Sequence, residues 1–152
     1  MASDLYPLGI DLAWLAVDRG GHVAAFITGG EGPIPINLLD PDVLTDDDIE
    51  QRILSMPPVS LVRITRPGVE SNSFAAIAER GLYVYDWTDV HRTATEEVHV
   101  YELVAAPTSP LKIAELPAEL ASVAALNAIP TADFVTAITL DVCQSVRCLR
   151  CR

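Results

Sequence analysis

Three histidines, three cysteines and one glycine-rich loop are where this sequence has residue types suited to chemistry. His22 stands four residues after Asp18, across a Gly20-Gly21 turn. A carboxylate so placed can orient an imidazole as half of a catalytic dyad. Acyl transfer also needs a nucleophile, and Ser60, Ser71 and Ser73 have no nucleophile motif around them. The spacing therefore reads as a hydrogen-bonded turn histidine. Cys143, Cys148 and Cys151 form a C-x4-C-x2-C run that can offer three thiolates to zinc. A fourth ligand would have to come from His22, His91, His99 or an acid, and there is no second knuckle. An odd number of cysteines in one short basic segment is not a disulfide framework, so the expectation is free thiols on a frayed terminus. Gly29-Gly30-Glu31-Gly32 runs into Pro33 and Pro35 instead of a helix and lacks a lysine, which argues against a phosphate cradle. No Walker, zincin or nucleophile-elbow motif is present. The residues thus lead to no catalytic group, no metal and no cofactor, and the chain is expected not to be an enzyme.

Charge narrows the partners. The chain of 152 residues has 21 acidic and ten basic side chains, a formal net charge of −11. Its three C-terminal arginines, Arg147, Arg150 and Arg152, sit in a last stretch without acids. So negative a surface repels nucleic acid and anionic membrane and steers basic proteins toward it. Half of the residues are hydrophobic, enough for one core of ordinary size. No apolar run has membrane-spanning length, and the start lacks the basic and apolar blocks of a secretory signal. A cytoplasmic protein is the expectation, with residues 1–141 as one domain and 142–152 as a basic, cysteine-bearing tail.

The elements that must position these groups begin with a hairpin. Residues 12–18 and 22–28 are apolar runs of strand length, joined by Asp18-Arg19-Gly20-Gly21. Neither alternates cleanly, as expected of central strands buried on both faces. The best local signal follows at residues 44–56. Thr45 is an N-cap, Leu44 and Ile49 form a hydrophobic staple, and Asp46, Asp47 and Asp48 complement the helix dipole. Ile49 and Ile53 make its buried stripe, and Pro57-Pro58 ends it. Residues 59–65 read as a strand and 71–80 as a helix stopped at Gly81. Residues 82–87 read as a strand with Tyr83, Tyr85 and Trp87 on one face, and Leu82, Val84 and Asp86 on the other. Such an aromatic row normally packs inward; the sharper reading is a recognition surface. Residues 89–95, with Asp89, read as an exposed loop, 96–104 as a strand, 111–116 as an edge strand or extended segment, and 117–128 as a helix. Residues 134–140 fit a strand or a helix equally. The fold expected is α+β: a mainly antiparallel sheet of about five or six strands, with two or three helices packed mostly on one face.

The run from Trp14 to Pro35, W-L-A-x-D-x-x-G-H-V-A-x-F-x-T-x-G-x-G-P-I-P, resembles the opening of small bacterial immunity proteins of polymorphic and contact-dependent toxin systems. The resemblance covers about the first quarter of the chain. It implies a protein that neutralises a cognate toxin domain by binding and occluding it; many such toxins attack nucleic acids and carry basic grooves. On that reading the contacts are Glu31, Asp46, Asp47, Asp48, Asp86 and Asp89, with Tyr85 or Trp87 as aromatic anchors. The alternative is a small-molecule-binding or enzymatic domain with its pocket near Asp18, His22 and the loop at 29–35.

Overall fold

The computed structural model describes residues 11–40, 46–66, 73–88 and 99–151, with residues 46–48 as backbone only. The turn after residue 17 organises the rest. Asp18 Oδ1 accepts from the Gly20 and His22 amides, each at 2.9 Å, and Gly21 takes φ +85°, a conformation glycine adopts without a Cβ clash. These contacts close β1 (Ala13–Asp18) onto β2 (Val23–Ile27) as an antiparallel pair running from Ala13↔Ile27 to Val17↔Val23.

The chain continues through β3 (Ile34–Pro35), α1 (Asp46–Ser55), β4 (Val62–Ile64) and α2 (Ser73–Glu79) to β5 (Tyr83–Trp87). It then forms β6 (Tyr101–Pro107), α3 (Ala118–Ala125), β7 (Ala128–Ile129), β8 (Thr139–Leu140) and β9 (Cys148–Leu149). Among the described residues, seven strands make one sheet in the order β4-β6-β5-β2-β1-β7, with β8 also on β6; β3 and β9 form a separate antiparallel pair.

The sheet is mixed, which corrects the expectation of a mainly antiparallel sheet of five or six strands. β5 runs parallel to β2, and β7 parallel to β1. Residues 28–82, which carry α1 and α2, return the chain to the sheet in its original direction, as parallel neighbours require. The remaining pairs in the sheet are antiparallel.

The two faces are covered by different material. The three α-helices among the described residues pack on one, where Ile49, Ile53, Ile77, Leu120 and Val123 meet Leu15, Ala25, Val84 and Val104. Arg80 binds this layer together: its guanidinium donates to the carbonyls of Leu54, Met56 and Ala76, satisfying groups at the end of α1 that the helix leaves unpaired. Arg52 of α1 pairs with Glu119 of α3. The other face is aromatic. Trp14 stacks on Phe26 at 4.5 Å between centroids and Phe26 on Tyr85 at 5.2 Å, while Tyr101 meets Phe26 edge-on at 5.1 Å. Residues 129–149 cover that face, with Phe134, Val142, Val146 and Leu149 buried against it.

That cover replaces the frayed tail expected after residue 141. Leu149 pairs with Ile34 and Cys148 with Pro35, and a disulfide joins Cys143 to Cys151, leaving Cys148 as the free thiol. Hydrophobic residues between the cysteines hold the segment down, and a count of thiols takes no account of them. Within residues 111–116, expected as an edge strand or extended segment, Lys112 makes an isolated antiparallel bridge to His22 and Ile113–Glu115 form a 3-10 turn; Glu115 Oε1 accepts from the Lys112 amide at 2.8 Å. β6 begins at Tyr101, inside the expected strand at 96–104, and residues 96–98 lie outside the described residues.

Candidate functional site

Asp18 is buried, and its carboxylate is committed to backbone. Besides the two turn amides on Oδ1, Oδ2 accepts from the Phe134 amide at 2.8 Å. His22 Nδ1 stands 3.5 Å from Oδ2 and forms no hydrogen bond, and its ring meets Tyr83 edge-on. Three backbone amides thus occupy most of the acceptor sites of the carboxylate. Asp18 is a lock between the first hairpin and the segment after β7.

The glycine-rich loop is equally determined. The Thr28 hydroxyl accepts from the Leu12 and Gly30 amides, and its carbonyl accepts from Glu31 and Gly32. Gly29 and Gly30 have φ of +62° and +84°. A Cβ at Gly32 would stand 2.5 Å from the Tyr101 hydroxyl. That hydroxyl donates to the Pro33 carbonyl at 2.8 Å, so the loop is pressed onto Tyr101 and Trp87. Only Glu31 projects from it into solvent.

The acidic candidates divide by burial. Glu31 is exposed. Asp46, Asp47 and Asp48 open α1 in the backbone, as the capping signal predicts, while Thr45 and their own side chains lie outside the described positions. Asp89 also lies outside the described residues. Tyr85, Asp86 and Trp87 are corrected as contacts: their exposures are 0%, 0% and 8%. β5 is flanked by β2 and β6, and its two faces are covered by the helical layer and by residues 129–149. Asp86 pairs with Arg66 Nη2 at 2.6 Å, and Glu102 lies 3.6 Å from Arg66 Nη1, which makes a buried ion cluster within the sheet. Tyr85 donates to the Ala137 carbonyl at 2.7 Å. Burial pushes its hydroxyl well above the usual phenol range, with smaller contributions from Tyr83, Asp18 and Asp133.

Periodicity gave no notice of the apolar surface on offer. Leu61 and Ile138 are 77% and 60% exposed. They adjoin β4 and β8, the strands on the outer side of β6. No family model, curated protein or solved structure matches the chain. The reading of function therefore rests on the residues and their placement.

The C-terminal segment adds two concave features. Pro33, Trp87, His99, Asp141 and Arg150 wall a cavity of about 160 Å³. His99 and Arg150, at φ +63° and +70°, are the two non-glycine residues in the left-handed region among those described. Beside it, Ile36, Arg147 and the three cysteines wall an open cavity of about 390 Å³. Burial pushes the Cys148 thiol up to about 12, and Asp141 adds to the effect. Cys148 thus stays protonated near neutrality and is a poor nucleophile toward the disulfide beside it.

Proposed function

We propose that this protein is a bacterial immunity protein: it binds a cognate toxin domain and blocks the toxin's active site by steric occlusion, strengthened by charge complementarity. One observation carries the reading. The Asp18 carboxylate, the acid of the best candidate for chemistry, is occupied by three backbone amides, while Glu31 stands exposed on a hydrogen-bonded loop. A net charge of −11 gives such a surface the field to attract a basic groove and accelerate encounter. The contacts are Glu31, the first turn of α1 with Asp46, Asp47 and Asp48, and Asp89. Binding occurs in the cytoplasm, where a toxin that attacks nucleic acid would act. No helix among the described residues is long and apolar enough to cross a membrane.

The test is to express the chain with the toxin domain encoded beside it. A tight complex and protection of the producing cell are the expected results. Failure of both removes the proposal.

A further inference from the structure

The C-terminal cysteines converge for reasons that do not depend on the bond between two of them. Asp141 Oδ1 accepts from the Cys143 amide at 3.2 Å, starting a 3-10 turn that Ser145 N closes onto the Val142 carbonyl at 3.1 Å, and Val146 N donates to the same carbonyl at 3.0 Å. Val142 and Val146 are buried in the aromatic face and fix Cys143. Cys148 is fixed by its pairing with Pro35, and the adjacent Leu149 is buried beneath it. Arg150, at φ +70°, then turns the chain so that Cys151 returns to Cys143, with their Cα atoms 5.7 Å apart. One Sγ atom from each cysteine lies within 4.8 Å of the other two.

We propose that in the reduced chain Cys143, Cys148 and Cys151 form a three-thiolate site for a thiophilic divalent cation, Zn²⁺ foremost, and that this ion and the Cys143–Cys151 disulfide are mutually exclusive occupants of one cluster. Tetrahedral zinc holds its sulfurs about 2.3 Å away, hence roughly 3.8 Å from one another, a separation that side-chain rotation within this cluster supplies. The fourth position faces the open cavity of about 390 Å³ and is left to water or an incoming ligand. Three thiolates and a dication sum to one negative charge, and Arg147 stands on the same cavity wall. Opening the disulfide takes two electrons and two protons from a dithiol reductant, which leaves as its own disulfide. Binding the ion then releases the three thiol protons. Because the buried valines and leucine hold the segment, the sulfurs stay together after reduction and little ordering remains for the metal to impose.

The experiment uses the full chain, reduced with a phosphine without oxygen and titrated with Co²⁺. The expected result is a thiolate-to-cobalt charge-transfer band saturating at one ion per chain and bleached by Zn²⁺. The chain kept in its disulfide form should show no such band. Cys148→Ser leaves the disulfide possible, so folding of the variant is checked in the oxidised state; on reduction it should lose the band. Zn²⁺ should also shield all three thiols of the reduced wild type from alkylation, counted by mass. A reduced wild type without the band, a Cys148→Ser band equal to that of wild type, or shielding of only two thiols would each overturn the site.

Discussion

Arg66 donates to Asp86 across 2.6 Å, and both side chains lie almost wholly out of water. Breaking such a pair strands a charge in a medium that solvates it poorly. Asp86→Ala is expected to destabilise the fold by about 3 kcal/mol, near the low end for a buried pair because Glu102 remains beside Arg66. Urea denaturation measures this. Toxin affinity, compared at equal folded concentration, should not change, because Asp86 does not reach the surface.

Partner binding should respond instead to Glu31 and to Asp46, Asp47 and Asp48. Glu31→Lys, and separately the triple change of the α1 acids to Asn, should slow association and flatten its dependence on salt, with dissociation less affected. Stopped-flow mixing at two ionic strengths separates the two rates. An unchanged salt dependence in both variants would place the contact elsewhere.

Gly32 is needed for the close approach to Tyr101. Gly32→Ala must push aside a hydroxyl 2.5 Å from the new Cβ, with the Trp87 ring 3.1 Å away and Tyr101 wholly buried. The expected cost is about 2 kcal/mol, within the range for overpacking a filled core. Thermal unfolding checks it, and near-ultraviolet circular dichroism should report the displaced aromatics.

Alkaline pH should loosen the aromatic face. Burial raises the hydroxyls of both Tyr83 and Tyr85 above the ordinary phenol value of about 10. A raised folded-state value means that the stability from the protonated form is complete below pH 10. It falls as pH climbs through the folded value, because the unfolded chain ionises first. Tyr85→Phe should shrink that alkaline loss while costing about 1 kcal/mol at neutral pH, where the Ala137 carbonyl loses its donor. Unfolding at pH 7.5 and pH 11, pH values on the two sides of the phenol range, distinguishes the two effects.

Removing everything after Asp141 should cost more than trimming a tail would. Val142, Val146 and Leu149 are buried, at roughly 1.5–3 kcal/mol for each fully buried side chain. The shortened chain is expected to lose on the order of 5 kcal/mol and to bind a hydrophobic dye.

What the sequence made legible was local. The hairpin at β1 and β2 follows from two apolar runs around a turn, and the isoleucine stripe of α1 and the two faces of β5 from patterns of period 3.6 or two within a few residues. The parallel pairing of β2 with β5 has no such mark, because it is set by a crossover of many residues. Residues 134–140 could not be assigned for a related reason. They are held by the Asp18 carboxylate on the Phe134 amide and by the Tyr85 hydroxyl on the Ala137 carbonyl, contacts that leave no periodicity. The same gap misplaced the proposed contacts on β5. Alternation separated its two faces but did not show that both would be covered.

Leu149 also has a bearing on how the polypeptide matures. Trp14, Phe26 and Ile34 are synthesised roughly a hundred residues or more before the side chain that closes over them. Until then the nascent product carries an oily, half-built aromatic layer, open to chaperones and to its own kind. Speed of completion, as much as final stability, governs how much of it escapes aggregation.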